Sequence, residues 1–195
     1  MTTKNQPDIS IGVSSWNTSE LVEGALDSIV ATADDMNIDV TVIDDASTDG
    51  GFAQMAEKFK DDPRFLFVRN EKNLGVPSAN VVLERTKAKY IVTLDSDARL
   101  MPGTLQTLLA FMEAHPEAGA VTANLINADG SPQIYYRRIL TLSRFFFTTL
   151  FGRFIDKYFF GLRNLKSYHH VGLDITQNPE IEQSPTSCLM IRREI

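Results

Sequence analysis

Three features that would each point to a particular class of protein are missing from the sequence. Its single cysteine, Cys188, cannot form a disulfide within the chain. No apolar run approaches the roughly 18–20 residues that span a bilayer. Residues 1–8 are polar and lack the apolar stretch of a secretory signal. We therefore expect a cytoplasmic protein in a reducing compartment.

The chain also lacks an excess of positive charge. The chain has 19 lysines and arginines against 25 aspartates and glutamates, which gives a net charge of −6. This balance argues against a nucleic-acid binder, whose affinity comes from neutralising phosphates. The glycine-rich fingerprints of dinucleotide-binding proteins and of P-loop NTPases do not occur. With 195 residues, 43% of them apolar, the sequence predicts an ordinary globular protein of one domain or one domain plus an appended piece.

Short apolar runs alternate with helical patterns along the first two thirds of the chain. The predicted strands are 9–14, 40–43, 65–68, 90–94 and 120–124, and the predicted helices are about 19–33, 52–60, 77–87 and a fourth from Pro102. Strands and helices in this alternation are typical of a mostly parallel sheet covered by helices on both faces. The sequence therefore predicts an α/β fold.

Polar clusters follow three of the predicted strands, at Ser14–Asn17, Asp44–Asp49 and Asp95–Asp97. In open α/β sheets, ligands bind beyond the carboxyl ends of the strands. The third cluster delivers two carboxylates, one residue apart, from an apolar strand, and ionised carboxylates are rarely left unpaired in a core. We therefore expect a divalent cation, or a charged ligand organised by one, at this edge.

The character of the chain changes after Gly130. Residues 131–168 contain seven basic side chains and one acidic one, and seven of the chain's 12 phenylalanines lie between Phe145 and Phe160. Two explanations remain open. The segment 137–166 lies on an anionic membrane surface, with phenylalanine buried and the cations at the headgroups. Alternatively, it is a helical excursion whose phenylalanines pack on the sheet or on another copy in a homo-oligomer.

Four of these features, in this order, resemble motifs of family 2 glycosyltransferases, which are inverting enzymes with the GT-A fold. They are Val13–Asn17, with Trp16 where the family usually has tyrosine, Val42–Gly50, which matches V-D-D/N-x-S-x-D-G, Asn70–Gly75 with Asn80, and Leu94–Asp97 with Pro102, which matches the D-x-D. Two later segments, Ala128–Gly130 and Ser187–Glu194, are similar to the rhamnosyltransferase-like branch.

The resemblance implies a reaction, its substrates and a metal cofactor. A sugar would pass, with inversion, from a dTDP- or UDP-linked donor to a hydroxyl of a saccharide or lipid-linked acceptor, in cell-surface polysaccharide or lipopolysaccharide synthesis. Mg²⁺ or Mn²⁺ at Asp97 and Asp95 would neutralise the leaving diphosphate, although Asp95 could instead reach the ribose. The expected donor contacts are Ser14, Ser15, Asn17, Asp44, Asp45, Asn73, Gly75, Asp95 and Ser96.

Several of these residues also have plain structural explanations. Ser14 and Ser15 can cap a strand end, and Asp45 can accept backbone N–H groups within a turn. Asn73 and Gly75 suit a turn that needs a positive φ. For Trp16, packing in the core or at its rim is the simpler explanation than stacking on a base.

The resemblance also implies a division of the chain. Residues 1–130 would form the nucleotide-sugar-binding GT-A core, 131–170 a basic aromatic helical segment and 171–195 the start of an acceptor-side part. The family's catalytic base corresponds to a position beyond Ile195, so we expect a truncated chain that binds donor without full activity. Two alternatives remain open: a nucleotidyltransferase, although Gly12–Ser15 contains no basic residue, and a non-catalytic binding module.

Overall fold

Two apolar runs rich in β-branched residues, Ile9–Ser15 and Ile38–Asp44, form strands β1 and β2 at the centre of the fold. Both are buried along almost their whole length, as expected of parallel strands covered on both faces. They pair in parallel, with Ile9 opposite Ile38 and Ser15 opposite Asp44. The structure is a computed structural model that describes residues 6–33, 35–75, 80–133 and 135–194.

By its internal contacts the chain forms two compact units. The first, Met1–Ala123 with Thr186–Ile195, is called the sheet unit below, and the second, Asn124–Pro185, the helical unit. The predicted division at residues 130 and 170 differs from these limits and, as a division into functional domains, stays a prediction.

In its described residues the sheet unit contains six strands and four α-helices. Besides β1 and β2, its strands are β3 (Phe65–Arg69), β4 (Tyr90–Leu94), β5 (Ala120–Thr122) and β8 (Cys188–Arg192). Its helices are α1 (Ser19–Thr32), α2 (Gly51–Lys58), α3 (Asn80–Arg85) and α4 (Thr104–Ala114). The start of the helix predicted over 77–87 falls on residues 77–79, which lie outside the described part.

The sheet has the order β3-β2-β1-β4-β8-β5. The first four strands in this order are parallel, whereas β8 runs antiparallel to both β4 and β5. The predicted α/β fold with a mostly parallel sheet is confirmed. The antiparallel position of β8 between β4 and β5 is a feature that the sequence analysis did not predict.

Packing differs between the two faces of this sheet. On one face, Ile9, Ile11 and Val13 belong to the main core cluster with apolar residues of α1, α2 and α4. On the other face, Ile43 and Ile91 pack with Val82 of α3. A Cβ at Gly12 would overlap the Val82 side chain, so glycine in the central strand allows α3 to approach closely.

The strand order places the point where the sheet reverses direction at β1. From β1 the chain moves outward to β2 and β3, and then returns to β4 on the other side of β1. Val13 lies opposite Leu94, and Ser15 lies opposite Asp44. The loops that follow β1, β2 and β4 therefore leave the sheet at one edge, where its order reverses, which is the usual ligand position in such sheets.

The helical unit consists mainly of helices and loops in the residues that the structure describes. Strands β6 (Leu125–Ile126) and β7 (Pro132–Gln133) form a two-stranded antiparallel ribbon. Three short α-helices follow among the described residues: α5 (Leu142–Thr148), α6 (Leu150–Phe160) and α7 (Arg163–Tyr168). Across the described ranges of the chain, no helix has the length and apolarity needed to cross a membrane.

The packing of α1 predicts a contrast between two of its leucines. Leu26 is fully buried in the main core, whereas Leu21 is 44% exposed on the same helix. Leu26→Ala should lower the free energy of unfolding by about 2–5 kcal/mol, because it leaves a cavity. Leu21→Ala should change it by only about 0.5 kcal/mol. Urea unfolding of both variants measures the difference, and equal losses would contradict the described packing.

Candidate functional site

The loops that follow β1 and β2 are joined by hydrogen bonds. The backbone N–H of Asn17 donates to Ser47 Oγ (2.9 Å), and Asn17 Oδ1 accepts from the backbone N–H of Thr48 (2.7 Å). The backbone N–H of Asp45 donates to the carbonyl of Ser15 (2.8 Å). Asn17 has φ 55, a left-handed conformation that asparagine tolerates better than most residues. Asn17 therefore connects the two loops.

Asp49 connects the same loops to the starts of two helices. Its Oδ2 accepts from the backbone N–H (3.1 Å) and hydroxyl (2.7 Å) of Ser19 in α1, and its Oδ1 from the N–H of Gly51 in α2 (3.2 Å). These are N–H groups that a helix leaves without internal partners. The Ser19 hydroxyl bond and backbone N–H groups hold the pKa of Asp49 below its ordinary value, against the opposing effect of burial.

Asp45 holds the segment 70–75 against the end of β2. Its buried carboxylate accepts from Asn70 Nδ2 (2.9 Å) and from the backbone N–H groups of Leu74 (2.9 Å) and Gly75 (2.8 Å). Burial raises the pKa of Asp45, but these three hydrogen bonds outweigh it, so the pKa lies below its ordinary value. The structure therefore assigns Asp45 a turn-holding contact, and its predicted contact with a nucleotide stays a prediction.

Asn73 and Gly75 belong to the same turn. Asn73 Oδ1 accepts from the N–H of Gly75 (2.8 Å), and Gly75 has φ 65, a conformation that favours glycine. Both residues are exposed. They remain accessible to a ligand, although residues 76–79 that follow lie outside the described part.

Asp44 differs from its neighbour because one of its oxygens has no hydrogen-bond donor. The side chain is fully buried, and its Oδ1 accepts from the N–H of Ser47 (3.2 Å). Its Oδ2 lies 3.3 Å from Arg69 Nε, yet none of the described residues donates a hydrogen bond to it. A buried acceptor left without a donor is costly, so a ligand N–H or O–H would be favourable here.

Arg69 is a site residue that the sequence analysis missed. It lies directly opposite Asp44 in the register of β2 and β3, and its Nη2 donates to the carbonyl of Ser47 (2.7 Å). In the sequence, Arg69 is a basic residue that directly follows the predicted strand 65–68 and directly precedes the Asn70–Gly75 motif. Recognising its role required the pairing of β3 with β2.

The two carboxylates after β4 point to a different kind of ligand. Asp95 and Asp97 are exposed, and within the described ranges no hydrogen bond or ion pair engages either carboxylate. Their backbone is fixed, since the N–H of Asp95 donates to the carbonyl of Ser187 (3.0 Å) and the N–H of Ala98 to that of Asp95 (3.0 Å). Ser96, between them, is half-buried.

A metal at this position would need ligands from outside the chain. Across the described ranges, no group of three or more His, Cys, Asp or Glu side chains could hold a metal ion. One or two carboxylates suffice for Mg²⁺ when phosphate oxygens supply the other ligands. Cys188 is not a competing thiolate ligand, because burial and the charge of Asp95 raise its pKa to about 11.

The remaining predicted residues lie at the end of β1. Ser15 is buried with its Oγ 3.4 Å from Thr18 Oγ1, which agrees with a local capping role, and Ser14 is half-buried. The ring of Trp16 is 58% exposed and so is not part of the core. An exposed aromatic ring beside these loops is available for stacking.

Comparison with known proteins gives a consistent result. A sequence profile of Glycosyl transferase family 2 matches residues 10–193. The putative teichuronic acid biosynthesis glycosyltransferase TuaG of Bacillus subtilis is 30% identical over 129 residues, which cover 65% of this chain and 51% of TuaG. The chain spans between 38% and 51% of the length of three curated relatives, TuaG among them.

Solved structures agree with the fold. The crystal structure of S. aureus TarS 1-349 in complex with UDP-GlcNAc aligns with a TM-score of 0.56 and 26% identity, over 66% of this chain and 38% of that one. The mannosyltransferase PcManGT from Pyrobaculum calidifontis, in complex with GDP-Man and Mn²⁺, aligns with a TM-score of 0.54 and 28% identity, over 63% of this chain and 36% of that one.

The contacts of Asp49 predict a loss of stability that depends on pH. Asp49→Ala should lower the free energy of unfolding by about 1–3 kcal/mol, since two helix N-termini lose an acceptor. Because the pKa of Asp49 is lowered in the folded state, this stabilisation is complete at neutral pH and disappears as the pH falls through that lowered value. Urea unfolding at neutral and acid pH measures both effects.

The matched control is Asp61→Ala, which removes an exposed carboxylate from the same unit. It should change the free energy of unfolding by no more than about 0.5 kcal/mol. If the two variants lose equal stability, or if the loss at Asp49 persists in acid, Asp49 does not act as the shared cap.

Proposed function

The chain belongs to glycosyl transferase family 2, and we propose that its sheet unit binds the nucleoside diphosphate of a sugar donor. The whole protein would transfer that sugar, with inversion, to an acceptor hydroxyl in the synthesis of a cell-surface polysaccharide. The observation that carries the proposal is Asp44, whose buried Oδ2 lacks a hydrogen-bond donor at the edge where the sheet order reverses.

The nucleoside is proposed to lie over the ends of β1 and β2. An N–H of the base would donate to Asp44 Oδ2, which supplies the donor that this oxygen lacks. Trp16, exposed at the end of β1, would stack on the base or ribose. Asp45 has a supporting role in this proposal, because its carboxylate holds the turn at Leu74 and Gly75 and so shapes the wall of the site.

The diphosphate is proposed to lie beside Asp95 and Asp97. Two exposed carboxylates without ion-pair partners in the described ranges fit a divalent cation shared with phosphate oxygens. Mg²⁺ or Mn²⁺ there would act as a Lewis acid that neutralises the leaving diphosphate. PcManGT, which is similar to this chain, is described with GDP-Man and Mn²⁺. Ser96 and Asn73 would contact the phosphates or ribose.

The donor is proposed to be a nucleoside-diphosphate sugar with a pyrimidine base, UDP or dTDP. The similarity to TarS, which is described with UDP-GlcNAc, supports a UDP-linked donor. PcManGT is described with GDP-Man, so a donor with a purine base is tested as well. The predicted rhamnosyltransferase-like branch, the saccharide or lipid-linked acceptor, the cytoplasmic location and the homo-oligomer stay predictions. No residue of this chain is proposed as the catalytic base.

Trp16 offers a direct test, since it is the only tryptophan in the chain. We expect UDP, dTDP or GDP, added in turn with Mg²⁺, to change its fluorescence, and EDTA to weaken that binding. Asp97→Asn should weaken Mg²⁺-dependent binding by roughly tenfold or more, because a charge-assisted contact is lost. Asp61→Asn, which removes an equal charge elsewhere, should bind like the original chain. No response to any nucleotide would contradict the proposed site.

Asp44 allows a sharper test of base recognition. Asp44→Asn keeps an acceptor for the N–H of Ser47 but places an NH₂ donor where Oδ2 now lies. Nucleotide affinity should fall roughly tenfold or more, since the ligand N–H would face another donor. Isothermal calorimetry measures the affinity, and urea unfolding checks that the fold persists.

The control for this variant is Arg69→Gln, which removes the neighbouring cation but leaves the acceptor oxygen in place. Its nucleotide affinity should stay closer to that of the original chain. If Asp44→Asn binds nucleotide normally, or if Arg69→Gln causes the same loss, Asp44 Oδ2 is not the contact that recognises the base.

A further inference from the structure

Helix α6 of the helical unit has its small and polar side turned inward. Gly152 and Asp156, one turn apart, are both buried. A Cβ at Gly152 would overlap the carbonyl oxygen of Phe146 in α5, so this contact needs glycine. Asp156 accepts from Asn164 Nδ2 (2.8 Å) and from the backbone N–H of Leu165 (2.8 Å) in α7. These contacts fix which side of α6 faces its neighbours.

The opposite side of α6 is apolar and exposed. Leu150, Phe154 and Tyr158 follow one another at intervals of four residues, and Phe151 lies beside them. These four side chains, called the outer stripe, are between 57% and 87% exposed. A helix on the surface of a globular protein normally buries its apolar stripe and exposes its polar one. A contiguous exposed apolar stripe marks an interaction surface.

The exposed charged residues of α6 and α7 are all cations. Arg153 and Lys157 of α6 are exposed on the flank of the stripe, and Arg163 and Lys166 of α7 are exposed as well. Across the described ranges, none of the four has an ion-pair partner. The only acidic residue of 131–168 is Asp156, which is fully buried between α6 and α7. The exposed surface of this segment therefore carries cations and no anions.

We propose that the outer stripe lies on the surface of an anionic lipid bilayer. The rings of Phe151, Phe154 and Tyr158 would enter the boundary between headgroups and acyl chains, and Arg153 and Lys157 would contact the anionic headgroups. A symmetric dimer through the stripe would instead bring the cations of α6 close to those of the second copy, and like charges repel. This inference concerns the helical unit alone and does not rest on nucleotide binding.

Co-sedimentation of the 195-residue chain with vesicles, without nucleotide, tests the proposal. Vesicles of equal parts phosphatidylcholine and phosphatidylglycerol should bind the chain, and vesicles of phosphatidylcholine alone should bind it far less. The double variant Phe154→Ser with Tyr158→Ser should reduce binding about tenfold or more. Arg153→Gln with Lys157→Gln should reduce it about fivefold for each cation removed. Raising the salt from about 0.1 M to 1 M should also weaken it.

Two matched controls come from helix α3 and its end in the sheet unit. Leu83→Ser removes a side chain that is also about half exposed, and Arg85→Gln with Lys87→Gln removes an equal charge. Both should bind vesicles like the original chain, and circular dichroism checks that every variant keeps its helices.

Three results would overturn the proposal. The first is equal binding to both kinds of vesicle, which would remove the role of anionic headgroups. The second is a chain that does not bind vesicles but forms a dimer by light scattering, with the dimer lost in the double variant Phe154→Ser with Tyr158→Ser. The third is neither vesicle binding nor self-association. A normal Trp16 response to nucleotide beside any of these results would leave the nucleotide site intact, so the two proposals fail separately.

Discussion

The pairing of β1 on both of its edges is the constraint on which the sheet unit depends. Ile9–Ser15 is buried, and its backbone pairs in parallel with β2 on one side and β4 on the other. Charged side chains cannot be accommodated along such a strand, so they collect where the strands end. Because three parallel strands end at one edge, the polar clusters after them are brought together without any attraction between the clusters.

The aspartates discussed above divide into two groups by what their oxygens accept. The carboxylate oxygens of Asp45, Asp49 and Asp156 accept hydrogen bonds from backbone N–H groups. The pKa of each is lowered, because the hydrogen bonds lower it by more than burial raises it. These carboxylates hold turns and helix starts. Asp44 Oδ2, Asp95 and Asp97 accept no such bonds from the described residues. A carboxylate oxygen that accepts no hydrogen bond from the fold is the better candidate for ligand binding.

The sequence could predict which residues lie at the site but not which of their oxygens are available to a ligand. The alternation of strands and helices, and the polar clusters that end them, follow from local patterns and were predicted. Whether Asp44 or Asp45 remains available does not follow from local patterns. The answer depends on Asn70, Leu74 and Gly75, which lie 25 to 30 residues further along the chain and donate hydrogen bonds to the Asp45 carboxylate. The antiparallel pairing of β8 was not predicted for a similar reason, since its partners β4 and β5 precede it by about 100 and about 70 residues.

Phenylalanines of the two units show that composition alone does not decide burial. In the sheet unit, Phe59, Phe65 and Phe67 form ring contacts with one another against the core. In α6, the inward positions are taken by Gly152 and Asp156, which the close approach of α5 and the start of α7 require. The rings of α6 are consequently displaced to the outside by the same contacts that stabilise the helices. The apolar face made in this way is exposed, and the cations beside it favour a covering surface of opposite charge.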